Sequence, residues 1–248
     1  MLLTLLFHRA GFGKYANSIE NLDKIFKNIS DQKRLTKFPG EFLEKFKNIH
    51  YCITFDDAFF DFYLKIFPLL KKYNLKALLA VPAKYILDDT DIDNKTRLNV
   101  DIKEAFEEDV YRKKAPFCTF KEILEMTDTG LVQIASHSYS HQNLLNKNID
   151  LDKEIIKSKI MLEKKLNIEI NSFVYPMGKF NKQIHKFVQK HYKYIFRIGT
   201  AINFSWQNFN NLNYRIVCDN TKSLEEKFYF SCYLKYFLYY LINTFKGR

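Results

Sequence analysis

The chain has 248 residues, of which 47% are hydrophobic and 27% charged, with only 7 Gly and 5 Pro. This composition excludes a disordered chain, because such chains lack the apolar surface needed to offset chain entropy, and the length fits one domain. The 4 cysteines are widely spaced, which excludes a dense disulfide framework and favours a reducing compartment. The opening MLLTLLFHRAG lacks the features of a signal peptide, so we expect a cytoplasmic protein.

The formal net charge of +11 is unevenly distributed. Residues 176–248 contain 12 Lys and Arg against 3 Asp and Glu, whereas residues 51–175 contain 18 against 20. A basic excess concentrated in the last third is expected of a surface that faces phosphates or anionic lipid, and a solvated surface without a partner is an equal alternative. Nucleic acid is not predicted as a partner, because the net charge is the only feature of the sequence that would support it.

Apolar segments alternate between the patterns of strands and of helices. The predicted strands are 2–7, 49–55, 76–81, 131–135, 172–175, 194–198 and 214–218. The predicted helices are 17–29, 60–72, 119–127, a helix from 150 or 152 to 166, and 181–192. Strands that alternate with helices predict a parallel sheet, and their number favours a closed barrel over an open sheet.

Two segments fall outside this alternation. Residues 84–118 are polar and charged, and we expect them to form an insertion or lid on one face. Residues 228–245 are apolar nearly all round but contain Lys235. They fall short of the ~20 apolar residues that span a bilayer, so a packed C-terminal helix is favoured over an interfacial membrane anchor.

Two adjacent carboxylates, Asp56 and Asp57, follow the second predicted strand in the segment TFDDAFFD. Active sites of parallel α/β folds gather at the carboxyl ends of strands, and neighbouring side chains of an extended segment point in opposite directions. One carboxylate can therefore bind a metal while the other faces the space beside it. Capping of the following helix would explain one Asp but not both.

Two histidines follow the strand at 131–135. His137 and His141, in HSYSH, are four residues apart, a spacing that brings them to one face of a helical turn. Neutral imidazole is a common zinc ligand, and with Asp57 the set has three protein ligands and open coordination positions, as expected of a catalytic metal. Such a metal activates water for hydrolysis of an amide or ester, and Asp56 would take the proton.

These residues resemble the polysaccharide deacetylases with the NodB homology domain, carbohydrate esterase family 4. TFDDA is similar to the family's T-F-D-D-G, and HSYSH matches its H-[ST]-x-x-H. The resemblance extends loosely over residues 1–218 and implies an α/β fold, a distorted (β/α)7 barrel in a single domain. Residues 219–248 beyond it are expected to form the C-terminal helix, packed on the domain or at a membrane surface. It assigns Asp56 as base and makes three residues the ligands of a divalent metal, Zn²⁺ first, with Co²⁺, Ni²⁺ or Fe²⁺ as alternatives: Asp57, His137 and His141.

Tyr175, Met177 and Arg215 are predicted on the substrate and oxyanion side of the site. FVYPMG at 173–178 is similar to the family's third motif, in which the backbone amide after the proline holds the oxyanion, and Met177 occupies that place. Many members carry an arginine just before that proline to orient the catalytic Asp. This chain has none there, which makes Arg197 or Arg215 the candidate.

The general acid is expected from the other end of the chain. Many members use a late histidine, but none follows His191 here. FHRAG at 7–11 is similar to the Tyr-His-Arg start of a deacetylase subgroup, which implies His8 as the acid, with a structural histidine as the alternative. Some nearby side chains could stack on a sugar, although packing is the more common use of aromatic rings: Tyr139, Phe59 and Phe60. The remaining histidines are expected to be structural: His50, His185 and His191.

The predicted activity is therefore metal-dependent removal of an N-acyl group, acetyl or formyl, from a sugar in a glycan or glycolipid precursor. A lipid-linked precursor at an anionic membrane is a candidate substrate. Iron oxygenases with two histidines and one carboxylate share the ligand set, but they usually have all-β folds. A saccharide-binding relative that has lost catalysis is the other alternative.

Overall fold

The computed structural model of the protein describes residues 1–11, 13, 15–32, 36–44, 49–223, 227 and 230–246. The strands are β1 (Leu2–Phe7), β2 (Arg9–Ala10), β3 (Ala16–Asn17), β4 (His50–Phe55), β5 (Ala77–Val81), β6 (Val132–Ser136), β7 (Ser172–Val174), β8 (Tyr194–Ile198) and β9 (Leu212–Val217). Seven of them form a closed barrel in the order β1, β4, β5, β6, β7, β8, β9, with parallel pairing throughout. β2 and β3 form a separate two-stranded sheet. The predicted α/β barrel of seven strands is confirmed.

The helices surround the barrel and largely follow the predicted order. They are α1 (Ile19–Asp31), α2 (Phe67–Tyr73), α3 (Asn94–Leu98), α4 (Glu108–Lys114), α5 (Phe120–Asp128), α6 (Ser158–Leu166), α7 (Lys182–Val188) and a C-terminal helix (Phe230–Phe245). Polar side chains cap four of the helix starts that the structure describes, including α3, where Asp93 accepts from the Thr96 amide, and α7, where Asn181 accepts from the Ile184 amide. The Ser18 hydroxyl accepts from the Asn21 amide at the start of α1, and Thr119 and Glu122 form a capping box on α5.

Three predicted helices differ from the structure. The helix expected from 150 or 152 to 166 begins with a π-helical turn, Asp152–Lys157, before α6. The helix expected at 60–72 begins with a π-helical turn, Phe62–Ile66, and becomes α-helical only at Phe67. Pro68 lies in the first α-helical turn and has no N–H to donate, which interrupts the regular i to i−4 pattern there. The helix expected at 181–192 ends at Val188, where the chain turns so that Tyr192 packs in the core.

The barrel interior is narrow and lined mainly by small or aliphatic side chains. Its apolar cluster consists of Leu2, Cys52, Leu78, Ala80, Ala135, Val174, Phe196 and Trp206. Arg215 of β9 is completely buried and contacts Thr54 of β4 and Asp56. Side chains of opposite parity on the same strands pack outward against the helices, as in the stacking of Phe7 on Phe55 at 5.2 Å.

Residues 84–118, expected to form an insertion or lid, contain α3 and α4. The segment is tied to α5 by Arg97, whose guanidinium contacts the Glu122 carboxylate at 2.7 and 2.9 Å. Arg97 also donates to the carbonyls of Ala115 and Phe117. These bonds fix the segment against α5.

The C-terminal helix occupies the outside of β8 and β9. The connection between these strands, residues 199–211, has only a short 3₁₀ turn at Phe209–Asn211. Tyr240 of the helix packs edge-on to Tyr214, and the Asn243 amide donates to the Gly199 carbonyl. Residues 228 and 229 of the predicted C-terminal helix lie outside the described residues. Within the part of the chain that the structure describes, no helix is long and apolar enough to cross a bilayer.

Candidate metal and hydrolytic centre

Asp56 and Asp57 lie immediately beyond the carboxyl end of β4. The Asp56 amide donates to the Phe7 carbonyl at 3.0 Å, so this residue continues the pairing with β1. Asp57 and Ala58 then adopt left-handed backbone conformations, with φ of 71° and 54°. Non-glycine residues adopt this region at a cost, which is accepted mainly where function requires it. Both carboxylates are buried, at 4% and 3% exposure.

The loop that carries His137 and His141 begins at the carboxyl end of β6. It is not the helical turn that the spacing predicted, because Ser138 and His141 have φ of 64° and 52°. The Ser138 hydroxyl accepts from the His141 amide at 3.0 Å. Glu154, from the π-helical turn before α6, accepts from both the amide and the hydroxyl of Ser140. These bonds hold the loop so that both rings face Asp57.

Asp57, His137 and His141 form a group whose candidate ligand atoms all lie within 4.8 Å of one another. Nε2 of His141 is 3.2 Å and Nε2 of His137 is 3.6 Å from Oδ1 of Asp57. That oxygen is fully buried and has no hydrogen-bond partner among the described residues. An unsatisfied buried carboxylate oxygen beside two imidazoles fits the donor set of a divalent metal.

Both histidines are suited to bind a metal in the neutral form. Burial lowers the pKa of His137 and of His141 to about 4. Nδ1 of His137 lies 2.9 Å from the Val174 carbonyl, which fixes the proton on Nδ1 and leaves Nε2 free to coordinate. The Phe106 ring stacks on His141 with centroids 4.7 Å apart.

Asp56 is held by Arg215. The guanidinium donates from Nη1 to Oδ1 at 2.6 Å and from Nη2 to Oδ2 at 2.8 Å, and Nη1 also contacts the Thr54 hydroxyl. Burial alone would raise the pKa of Asp56, but the charge of Arg215 holds it well below its ordinary value. Arg215 therefore binds the predicted base, whereas Nε of Arg197 donates to the Ile198 carbonyl.

His8 lies on the other side of Asp56. Its Nε2 is 4.0 Å from Oδ2 of Asp56, and its Nδ1 is 2.7 Å from Oδ2 of Asp219. Burial alone would lower the pKa of His8, but the hydrogen bond to Asp219 and the charges of Asp56, Asp219 and Asp57 raise it to about 9. The ring is thus held protonated, with Nε2 directed toward Asp56.

Tyr175 and Met177 differ in their exposure to solvent. Met177 is 55% exposed, and its φ of 55° turns the backbone after Pro176. Tyr175 is completely buried, with its hydroxyl 2.9 Å from Nδ1 of His185. The Tyr175 side chain packs in the core, and its position does not support the predicted contact with substrate.

The aromatic residues considered for sugar stacking also pack within the protein. Phe59 and Phe60 are buried, against Phe117 and the Arg97 guanidinium respectively. Tyr139 is half-buried beneath the ammonium groups of Lys153 and Lys157. The remaining histidines lie apart from the group at Asp57. The His50 ring contacts the Glu44 carbonyl, the His185 ring contacts the Asn210 carbonyl, and the His191 ring packs against Phe187.

Three residues that contact the site were missed by the sequence analysis: Asp219, Glu154 and Phe106. Asp219 lies just beyond the carboxyl end of β9, the kind of position that identified Asp56 and His137, so its place in the strand order was an available signal. Glu154 and Phe106 reach the site only through tertiary packing. A single sequence has no pattern that marks them.

The model of the polysaccharide deacetylase family matches residues 44–195, more than half of the chain. No curated protein is significantly similar to it.

Solved structures share the fold at low sequence identity. The Streptococcus pyogenes deacetylase PplD, determined in complex with acetate, is 21% identical with a TM-score of 0.71, over 95% of this chain and 97% of that one. A de-N-acetylase from Aggregatibacter actinomycetemcomitans is 16% identical with a TM-score of 0.70, over 95% and 99%. The polysaccharide deacetylase BC0361 from Bacillus cereus is 18% identical with a TM-score of 0.72, over 91% and 67%. The family match, together with this fold, shows that the chain belongs to the polysaccharide deacetylase family.

Proposed function

We propose that the protein removes an N-acetyl group from a sugar by metal-assisted hydrolysis, with Asp56 as general base and His8 as general acid. The observation that carries the proposal is the position of Asp56. Its Oδ2 lies 3.8 Å from Nε2 of His137 and 4.0 Å from Nε2 of His8, so the predicted base lies between the metal ligands and the predicted acid. The structural neighbours, the deacetylase PplD and the de-N-acetylase from Aggregatibacter actinomycetemcomitans, support the same reaction.

Asp57, His137 and His141 would hold the metal, and their mixed nitrogen and oxygen donors fit Zn²⁺ first, with Co²⁺, Ni²⁺ or Fe²⁺ as alternatives. A divalent cation bound there supplies Lewis acidity, which lowers the pKa of water and polarises a carbonyl. The unsatisfied Oδ1 of Asp57 supports this assignment.

Asp56 and His8 would divide the two proton transfers. Asp56, kept ionised by Arg215, takes a proton from the attacking water as its oxygen bonds to the acyl carbon. The C–N bond then breaks, and the leaving amine takes the proton from Nε2 of His8. The backbone amide of Met177 is proposed to stabilise the oxyanion between these steps. The products are acetate and an amino sugar.

Two observations favour this function over its alternatives. The parallel barrel and the family match favour a hydrolase over an iron oxygenase. A binding protein that had lost catalysis would have no need of the buried ion pair that orients Asp56, and this chain keeps that pair through Arg215. Whether the acyl group is formyl or acetyl is tested by measuring which acid, formate or acetate, is released.

A lipid-linked glycan precursor at an anionic membrane is our proposed substrate. Residues 176–248 contain 12 basic and 3 acidic residues, and this basic excess supports contact with such a surface. A cytoplasmic location remains a prediction, which cell fractionation would test.

The direct experiment measures acetate or formate release from N-acylated sugars and lipid-linked precursors by purified protein, with and without Zn²⁺. Asp56→Asn is expected to abolish release while keeping bound metal, because the three proposed ligands are unchanged. Full activity of Asp56→Asn would sink the mechanism. A protein that binds these sugars but releases neither acid, with Zn²⁺ bound, would support the alternative of a binding protein.

A further inference from the structure

The C-terminal helix turns its most hydrophobic residues toward solvent. Five of them, which we name the apolar face, are Leu234, Phe237, Leu238, Ile242 and Phe245, with exposures of 58%, 39%, 49%, 44% and 87%. Spacings of three and four residues place them along one side of the helix. Single exposed apolar residues are ordinary, but a contiguous row of large ones marks an interaction surface.

The opposite side of the helix is the more polar one, yet it packs on the barrel. Tyr236 is buried and donates from its hydroxyl to the Lys227 carbonyl. Tyr240 packs edge-on to Tyr214, and Asn243 donates to Gly199. A helix that only had to cover β8 and β9 would be expected to turn its leucines and phenylalanines inward. The packing of the barrel therefore does not explain the apolar face.

Exposed lysines lie on and beside the helix. Lys235 and Lys246 belong to the helix or its end, and residues 227–248 contain no Asp or Glu. Lys182 and Lys186 of α7 line a cavity of about 530 Å³ together with Phe245 and Lys246. An apolar row with lysines beside it complements the hydrocarbon boundary and the phosphates of an anionic bilayer.

The end of the same helix is bonded to the connection between β8 and β9. Phe245 shares that cavity with Phe180, three residues after Met177. Asn243 is bonded to Gly199, directly after the carboxyl end of β8. A surface bound along the apolar face would thus lie on the outside of β8 and β9, the strands that the helix covers.

We infer that the apolar face docks this protein onto an anionic lipid bilayer, with the C-terminal helix lying in the plane of the headgroups. The helix has 16 residues and therefore a length of ~24 Å, short of the ~30 Å hydrocarbon core, so it would lie on the bilayer and not cross it. A second copy on the same face would bring lysines of two chains together, which opposes association. This inference rests on the proposed function in one respect, the lipid-linked sugar that serves as substrate at the bilayer.

The test is sedimentation of the purified full chain with vesicles of phosphatidylcholine alone or mixed with phosphatidylglycerol. We expect binding to the mixed vesicles, weaker binding to phosphatidylcholine and weaker binding at high salt. The double variant Leu238→Glu, Ile242→Glu should lower the bound fraction by about tenfold or more, because two charges then face the hydrocarbon boundary. The matched control is Ile160→Glu on α6, where the side chain is 57% exposed, and it should bind as the unchanged protein does.

Turnover of a soluble N-acetylated sugar, measured without vesicles, separates this inference from the proposed function. The double variant is expected to keep that turnover and its melting temperature, since both positions are exposed. Three results would overturn the inference: no binding to the mixed vesicles, equal binding by the double variant, or a dimer in the unchanged protein that the double variant abolishes. Vesicle binding without any turnover would leave docking supported and would count against the proposed function.

Discussion

Both terminal nitrogens of Arg215 hold the Asp56 carboxylate, Nη1 at 2.6 Å from Oδ1 and Nη2 at 2.8 Å from Oδ2. The pair is buried between β4 and β9, so the guanidinium reaches the carboxylate through the barrel interior. Such bidentate contacts fix a carboxylate in direction as well as in charge. The proposed base is thereby oriented by a strand far from it in sequence.

Arg215→Met should destabilise the protein and nearly abolish its activity. Removing one partner leaves a buried charge, which costs ~3–5 kcal/mol, and a misplaced base costs about 100-fold or more in kcat. Arg215→Lys keeps the charge but loses the bidentate contact, so its stability and its kcat should lie between those of the unchanged protein and those of Arg215→Met. Thermal melting and steady-state kinetics measure both effects, with Arg197→Met as the matched control. If Arg197→Met lost as much activity as Arg215→Met, the assignment of the orienting arginine would be wrong.

The alkaline limb of the activity profile should depend on Asp219. His8 must be protonated to act as an acid, so activity should fall as pH rises through its pKa, which the structure raises to about 9. Asp219→Asn removes a charge that raises this pKa, and the limb should move to lower pH. Profiles of kcat/KM against pH for the two proteins measure the shift. An unchanged limb would show that another group supplies the proton.

Metal binding should require His137 but not His185. His137→Gln removes a proposed ligand and should leave less than about a tenth of the zinc bound by the unchanged protein. The control His185→Gln alters a buried histidine bonded to Tyr175 and Asn210, so it should lower stability and keep the metal. Metal analysis of the purified variants measures this. Equal loss of zinc in both would falsify the assignment.

Glu154→Gln should weaken metal binding without touching a ligand. The Glu154 carboxylate holds Ser140 between the two histidines, and such supporting groups typically change metal affinity ~10–100-fold. Competition with a zinc chelator measures the affinity. Glu163→Gln, at a carboxylate on α6 that accepts from the Ile170 amide, is the control and should leave affinity unchanged. Unchanged affinity in Glu154→Gln would mean that the loop needs no such support.

Zinc should stabilise the protein against unfolding. Burial raises the pKa of Asp57, which shows that its charge is costly in the folded chain without a cation. A ligand that binds only the folded state raises the melting temperature, and the effect grows with its concentration. Melting of chelator-treated protein with increasing Zn²⁺ measures this. A melting temperature that zinc leaves unchanged in the parent protein would count against the site.

The barrel could be predicted from the sequence because each of its strands is a short apolar segment followed by a polar loop. Asp56, Asp57, His137 and His141 stood at the ends of such segments, which is why they were found. The choice between Arg197 and Arg215 could not be made, because the two residues lie on neighbouring strands and only the side-chain contacts of the folded chain show which one reaches Asp56. The burial of Tyr175 could not be predicted, because its hydroxyl meets Nδ1 of His185 only in the folded chain.

The pairing of His8 with Asp219 joins residues that are 211 positions apart. During synthesis, the proposed metal ligands emerge within the first 141 residues, whereas Arg215 and Asp219 follow much later. A nascent chain that has all three proposed ligands still lacks the groups that contact the proposed base and the proposed acid. The order of translation would thus delay the proposed hydrolysis until β9 has closed the barrel against β1.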